Sequence, residues 1–213
     1  MTYRPPHVRA DDRGPLLALI ATHPLATFIT VVDDEPVVTY LPMLARLEDD
    51  TLYLEGHIAR ANNQWRAGDG RGTALFRVAE HYVSPTWYAT KRINGRVVPT
   101  FDYIAVEARG NVQFIHDTEW LREFVARLSI AEENKVGANW RIEDAPEDYM
   151  ESQLKAIVGV QMRVDALIGL FKVNRHHPAE NVAGVIAGLE QLGSADAMAI
   201  AAMMRSDLDA RES

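Results

Sequence analysis

The pattern of hydrophobic and polar positions changes near Pro24 from helical to strand-like. Upstream of this proline, apolar residues recur at helical spacing behind Asp11 and Asp12, which can cap a helix. Downstream, β-branched and aromatic runs are interrupted by charged segments at 33–36 and 48–50, which are typical of hairpin turns. The region therefore predicts a meander of three strands, over Phe28–Val32, Val37–Leu44 and Leu52–Leu54.

The middle of the chain predicts one helix between strands. Residues Ile58–Ala67 are good helix formers, and a group of glycines then ends the helix. Strand-like composition returns over Thr73–Val78. In the long segment Val97–Ile115, apolar and polar residues alternate, which predicts a sheet with one solvent-exposed face.

The last half of the chain predicts helices interleaved with one late strand. Asp117 precedes apolar residues at helical spacing and can cap a helix, and another helix follows Pro146. The segment Val158–Val173 is typical of a closing strand. Pro178 opens a further helix that Gly193 ends before a final helix.

This order of elements predicts an α+β protein, because antiparallel strands come first and helices gather around them later. The 213 residues are 47% hydrophobic, which is enough for a sizeable core. We expect one domain over residues 1–213, with a C-terminal helical appendage from about residue 178.

The charge balance and the absence of cysteine exclude several kinds of chemistry. A formal net charge of −8 disfavours direct binding to DNA, because an acidic body repels a phosphate backbone. The absence of cysteine excludes disulfides, thiolate nucleophiles and cysteine metal sites. No signal peptide and no membrane-spanning apolar run is recognised, so we expect a cytoplasmic protein that does not enter a membrane.

The segment Gly56–Trp65 is a candidate anion site. If a strand gives way to a helix here, backbone amides and the helix dipole face a bound anion. Arg60 can then grip a phosphate, with His57 and Asn62 as hydrogen-bond partners. The alternative is an ordinary turn with a surface arginine.

Two further segments combine proline with aromatic residues. In Tyr82–Lys91, Trp87 can cover a planar ring and Lys91 can neutralise a phosphate; the alternative is an aromatic corner beside a solvated lysine. In Thr39–Pro42, the proline removes a ladder donor, which predicts an edge strand or a bulge.

The histidines suggest no metal site. The adjacent pair His176 and His177 is an incomplete ligand set, and no other metal spacing is present among the seven histidines. Haem ligation by His57, His81 or His116 stays open as an alternative.

Several motifs in the same order resemble the PaiB family between about Tyr3 and Leu189. The family carries a tyrosine-proline start, a Gly-His-x-Ala-Arg-Ala-Asn box, a Tyr-x-Ser-Pro-x-Trp-Tyr-x-x-Lys box and a Val-Pro-Thr-aromatic-polar-Tyr box. In this chain the boxes are Tyr3-Arg4-Pro5, Gly56–Asn62, Tyr82–Lys91 and Val98–Tyr103.

The resemblance implies an FMN-binding split β-barrel, similar to pyridoxamine phosphate oxidases, with peripheral helices. It also implies a homodimer with FMN between the subunits. Arg60 would meet the phosphate, with Lys91 as a second candidate. Thr39 to Pro42 would lie along the flavin ring, and Trp87 would close over it. The cofactor-binding residues that we predict are Thr39, Tyr40, Leu41, Pro42, His57, Arg60, Asn62, Trp87 and Lys91.

Two positions depart from the family pattern. The family usually has Trp-Asn where this chain has Phe101-Asp102, and a carboxylate cannot donate a hydrogen bond unless it is protonated. The family's Lys-Leu-Ser-Gln-Asn is replaced by residues 172–176, Lys-Val-Asn-Arg-His.

The resemblance implies a negative transcriptional regulator of protease production and sporulation. Since no basic reading helix is visible, we expect regulation through a partner protein or the flavin state. The alternative is an FMN-dependent oxidoreductase that acts on a small molecule. The catalytic residues and the substrate stay undefined, and whether the protein is an enzyme stays open.

Overall fold

The computed structural model describes residue 3 and residues 5–212, so that Arg4 of the first family box lies outside the described residues. The strands in this part of the chain are β1 (Arg9–Ala10), β2 (Leu25–Val32), β3 (Glu35–Pro42), β4 (Leu44–Glu48), β5 (Thr51–Ala59), β6 (Gly70–Val83), β7 (Thr100–Ile115) and β8 (Ile157–Lys172). The helices are α1 (Arg13–Thr22), α2 (Lys91–Asn94), α3 (Thr118–Val136), α4 (Glu147–Lys155), α5 (Ala179–Leu192) and α6 (Ala195–Glu212), with 3-10 turns at Pro6–Val8, Asn63–Ala67, Pro85–Trp87 and Ile142–Asp144.

The chain divides into two compact units. The first unit contains residues 1–19, 77–107 and 168–213, and the second contains residues 20–76 and 108–167. Strands β6, β7 and β8 contribute residues to both. The mixture of an antiparallel sheet with helices confirms the α+β class, and the single domain expected over residues 1–213 stays a prediction.

In the second unit, antiparallel strands form two hairpins rather than the predicted meander. The strand order is β3-β2-β6-β7-β8-β5-β4, so β3 and β4 stand at opposite ends of it. Long-range pairing of β2 with β6 and of β5 with β8 separates the hairpins. The predicted charged turns are correct: Asp33 and Asp34 have φ values of 51° and 64°, which suit the tight turn of a twisted hairpin.

The predicted helix over Ile58–Ala67 is wrong. β5 continues to Ala59, and the register places Ala59 opposite Ile157 of β8. Only the short 3-10 turn Asn63–Ala67 follows, capped by the Asn62 side chain, which accepts from the Gln64 amide. Pairing with a strand about a hundred residues later therefore overrides local helix propensity here.

The helices that follow Asp117 and Pro146 in the second unit begin where the sequence predicts. Asp117 caps α3 by accepting from the Trp120 amide at 2.7 Å, and Gly137 ends this helix with a φ of 70°. α4 follows Pro146. The core of the unit includes the fully buried side chains of Phe28, Phe76 and Phe124.

The first unit joins the C-terminal helices to the ends of the long strands. β1 pairs with β8, with Arg9 opposite Leu170. α5 and α6 pack on each other, and Gly193 ends α5 with a φ of 68°, as predicted. Among the described residues, no helix combines the length and the apolar character needed to cross a membrane.

Candidate functional site

Two of the predicted site segments meet in the second unit. The Nδ2 of Asn62 donates to Thr39 Oγ1 at 2.8 Å, and this hydroxyl donates to Gln64 Oε1 at 2.7 Å. The Nε2 of Gln64 donates in turn to Thr30 Oγ1 at 2.9 Å. This chain of side-chain hydrogen bonds, which we call the Thr39 network, fixes the box Gly56–Asn62 against β3.

Gly56 allows the backbone of β3 to approach closely at the end of that strand. A Cβ atom on Gly56 would lie 2.6 Å from Leu41 Cδ1 and 3.1 Å from the carbonyl oxygen of Pro42. Only glycine fits without a shift of the neighbouring groups. The first residue of the box and the segment Thr39–Pro42 are therefore neighbours as well.

Arg60 binds backbone carbonyls at the end of α4. Its Nε donates to the carbonyl oxygen of Lys155 at 2.7 Å, and its Nη2 donates to that of Ile157 at 2.8 Å. The Nη1 lies 3.3 Å from His116 Nδ1. A cation at this position stabilises the negative end of the helix dipole. Since a guanidinium has five N–H donors, two stay available for an anion.

His57 is half-buried, and its ring contacts Phe124 edge to face with centroids 5.8 Å apart. Burial lowers the pKa of His57, which favours the neutral imidazole. The Nδ1 atom is buried and has no hydrogen-bond partner. A buried polar atom without a partner is uncommon in folded proteins.

The remaining predicted residues differ in exposure and position. Tyr40 is 70% exposed on β3. Trp87 and Lys91 belong to the first unit, where Lys91 is exposed at the start of α2. The Trp87 ring packs against α5, since a Cβ atom on Gly188 would lie 2.4 Å from its Cδ2. The predicted roles of Trp87 and Lys91 at FMN stay predictions.

Sequence reasoning missed Gln64 and Thr30 as members of the Thr39 network. Both are buried polar residues. Gln64 lies inside the candidate segment Gly56–Trp65. Because a helix is predicted there, the direction of the Gln64 side chain towards Thr39 could not be inferred. A polar residue between apolar neighbours on β2 was the available signal for Thr30.

The chain matches a known protein family over most of its length. The family profile described as "Putative FMN-binding domain" matches residues 2–166. The chain belongs to this PaiB-like family. The match confirms FMN as the cofactor expected from the resemblance.

Relatives of this chain occur in bacteria and fungi. The chain is 25% identical over 208 residues to "Protease synthase and sporulation protein PAI 2" of Bacillus subtilis, covering 97% of this chain and 98% of the relative. It is 32% identical over 193 residues to an uncharacterized protein of Aspergillus fumigatus, covering 75% and 74%.

Solved structures confirm the split-barrel fold. The structure described as the FAD and heme binding protein from Mycobacterium smegmatis has a TM-score of 0.57, with 16% sequence identity. The match covers 77% of this chain and 73% of that chain. This likeness is one of fold.

The two departures from the PaiB-like pattern contact each other in the first unit. Asp102 is fully buried, and Asn174 Nδ2 donates to its Oδ2 at 2.8 Å. Burial raises the pKa of Asp102 to about 7, although the positive charge of Lys172 lowers it. The Oδ1 atom of Asp102 is buried and has no hydrogen-bond partner. Among the described residues, no cluster of three or more histidine or acidic side chains is placed to hold a metal ion.

Proposed function

We propose that this PaiB-like protein binds FMN beside the Thr39 network and acts as a negative transcriptional regulator whose activity depends on the bound flavin. The observation that carries the flavin site is the hydrogen bond from Asn62 to Thr39, because it joins two segments that were predicted separately for one cofactor. Residues held by side-chain hydrogen bonds are preorganised for a ligand.

Groups on the two segments that the network joins suit a flavin phosphate and a heteroaromatic ring. Arg60 retains two guanidinium donors, and His57 offers a buried ring nitrogen. Pro42 lacks an amide hydrogen, while the exposed ring of Tyr40 provides a flat apolar surface. When bound, FMN supplies electron-transfer chemistry, and the protein supplies binding and orientation.

We propose a homodimer formed through the exposed apolar face of the β2–β3 hairpin. The register pairs Leu25 with Pro42, Thr27 with Tyr40 and Ile29 with Val38, so these side chains share one face. Leu25, Val31, Val38 and Tyr40 are each more than half exposed. A contiguous apolar face of this kind is typical of protein interfaces. A second subunit on this face would cover Tyr40, within the segment Thr39–Pro42 that the resemblance places along the flavin ring.

FMN titration followed by quenching of flavin fluorescence tests the site. Asn62→Ala removes the donor to Thr39, and we expect FMN to bind about tenfold more weakly. Arg66→Ala is the matched control, because this exposed arginine belongs to the same turn but not to the network. If wild-type protein leaves FMN fluorescence unchanged, the proposed site is wrong.

Sedimentation equilibrium tests the homodimer. Val38→Glu places a charge in the proposed interface, so we expect monomers and weaker FMN binding. Leu47→Glu is the control, because Leu47 is 56% exposed on β4, outside the hairpin face. A monomeric wild-type protein, or a Val38→Glu variant that still dimerises, would contradict the interface.

The regulatory role is supported by similarity to the protein named for protease synthesis and sporulation. With a net charge of −8, we expect regulation through a partner protein and not through direct DNA contact. Transcript profiles of the source organism with and without this gene test the role. Unchanged profiles, together with FMN-dependent turnover of an added reductant, would favour the oxidoreductase instead.

A further inference from the structure

A polar cleft of about 380 Å³ lies in the first unit. We call it the Lys172 cleft. None of the nine residues predicted for FMN lines it. The polar residues that carry the following argument are Arg96, Thr100, Lys172, Asn174, His176 and His177.

The side chains that line the Lys172 cleft are positively charged or neutral. Arg96 and Lys172 supply two cations, and no carboxylate is found among the described residues that line the cleft. Lys172 Nζ donates to the carbonyl oxygen of Phe101 at 2.6 Å and to the Thr100 hydroxyl. These partners are neutral oxygen atoms, so they position the ammonium group without cancelling its charge.

Three histidine rings form a continuous group at the cleft. His176 lies between the rings of His7 and His177, at centroid distances of 4.5 Å and 4.4 Å. The ring of His177 stacks on Tyr88 at 5.1 Å with an interplanar angle of 10°. Arg211 of α6 donates to the carbonyl oxygen of His177 at 3.2 Å and adds another cation nearby.

One acidic group, Asp102, is hydrogen-bonded to a residue of this lining. It is fully buried and reaches the cleft only through Asn174, whose amide donates to it. Asn174 and Tyr88 therefore separate the carboxyl group from the cleft. Among the described residues, a bound molecule would meet the cations, the histidines and neutral hydrogen-bond donors, and not a carboxylate.

We propose that the Lys172 cleft binds a small organic molecule through a carboxylate or phosphate group, with Arg96 and Lys172 as the charged partners and the histidines as additional donors. Arginine and lysine are the usual partners of such oxyanions. The volume of the cleft accommodates a molecule larger than the oxyanion itself.

The histidines make this binding dependent on pH. Burial lowers the pKa of His176, and the neighbouring His177, His7, Lys172 and Arg211 lower it further because their positive charges repel an imidazolium. Burial also lowers the pKa of His177. An oxyanion among these groups offsets the repulsion, so the histidines take up protons when it binds. Binding is therefore tighter at pH 6 than at pH 8.

The test uses the protein saturated with FMN and titrated with inorganic phosphate. Histidine side-chain NMR signals report binding, and potassium chloride at matched ionic strength accounts for screening. Arg96→Gln removes an exposed cation of the cleft, and we expect about tenfold weaker phosphate binding. Arg92→Gln, on α2 but outside the cleft, is the matched control and keeps wild-type affinity.

Each outcome decides the proposal. Phosphate-specific shifts of His176 and His177 that weaken in Arg96→Gln support it, as does tighter binding at pH 6 of sulfate, whose own charge is constant between pH 6 and pH 8. If phosphate shifts these signals no more than chloride does, or if Arg92→Gln weakens binding equally, the proposal is wrong. Loss of FMN from Arg96→Gln would also overturn it, because the cleft would then belong to the flavin. Failure of wild-type protein to bind FMN would instead count against the proposed function alone.

Discussion

Asn174 donates a hydrogen bond to Asp102, and both residues stand where the family pattern has another amino acid. The family has asparagine at the first position and serine at the second. In this chain a carboxyl group has replaced the amide, and a longer side chain that can donate to it has replaced the hydroxyl. The two departures are therefore linked through direct contact, and we interpret them as one compensated change.

Asp102→Asn is expected to make the protein more stable at neutral and alkaline pH. The pKa of Asp102 rises from its ordinary 3.8 to about 7 in the folded protein, so the folded state retains a proton that the unfolded state loses. The free energy of unfolding of the wild type therefore falls as pH rises from about 4 to 7, by on the order of 3 kcal/mol.

Urea unfolding at several pH values measures this effect. The Asp102→Asn variant should lack the fall between pH 4 and 7. Asp49→Asn, in an exposed hairpin turn, should keep the wild-type profile. Parallel profiles for wild type and Asp102→Asn would mean that the buried carboxyl group titrates as it does in the unfolded chain.

Glu55→Gln is expected to destabilise the second unit by about 2 kcal/mol at pH 7. The Glu55 carboxylate is fully buried and accepts from Arg46 Nε at 2.8 Å, Arg127 Nη2 at 2.8 Å and Gln161 Nε2 at 3.0 Å. Burial raises the pKa of Glu55, but these hydrogen bonds outweigh it, and the pKa is lowered overall.

A lowered pKa means that the carboxylate stabilises the fold above the unfolded pKa near 4.5 and loses this effect as pH falls through the folded pKa. The difference between wild type and Glu55→Gln in urea unfolding should thus shrink in acid. Glu48→Gln, which removes an exposed partner of the same Arg46, should cost less than about 1 kcal/mol. An equal cost for both variants would contradict the role of burial.

Gly188→Ala is expected to destabilise the first unit by about 1 to 3 kcal/mol. A methyl group there would lie 2.4 Å from Trp87 Cδ2, so the indole or α5 must move. Thermal unfolding and tryptophan fluorescence measure both consequences. Gly70→Ala is the control, because nothing lies within 4 Å of its added methyl group. An unchanged thermal unfolding transition in Gly188→Ala would indicate that Trp87 does not pack on α5.

Local features of the fold could be predicted from the sequence, while long-range pairings could not. The cap at Asp117 and the hairpin turn at Asp33 depend on a few consecutive residues, and both predictions were correct. The segment after Gly56 was predicted as a helix because its residues favour one. Its strand conformation depends on β8, whose partner residue Ile157 lies far along the chain.

The same limit applies to the candidate site. The box Gly56–Asn62 and the segment Thr39–Pro42 were recognised through family resemblance. Their contact through Thr39 depends on the tertiary structure and could not be predicted from either segment alone. The Lys172 cleft was not predicted at all, since its residues come from segments separated by more than seventy positions. His176 and His177 were considered only as metal ligands, and the ring of His7 beside them carries no signal in the sequence.

Arg60→Lys separates two roles of Arg60 that Arg60→Ala removes together. Lysine keeps the positive charge but loses the planar fork that reaches the carbonyl oxygens of Lys155 and Ile157. We therefore expect Arg60→Lys to lower the free energy of unfolding by about 1 to 2 kcal/mol, while FMN affinity falls less than about fivefold. For Arg60→Ala we expect the same loss of stability and a much larger loss of FMN affinity. Urea unfolding without FMN and fluorescence titration with FMN measure the two effects independently. If both variants bind FMN like the wild type, Arg60 serves only to hold the end of α4, and the flavin phosphate lies elsewhere.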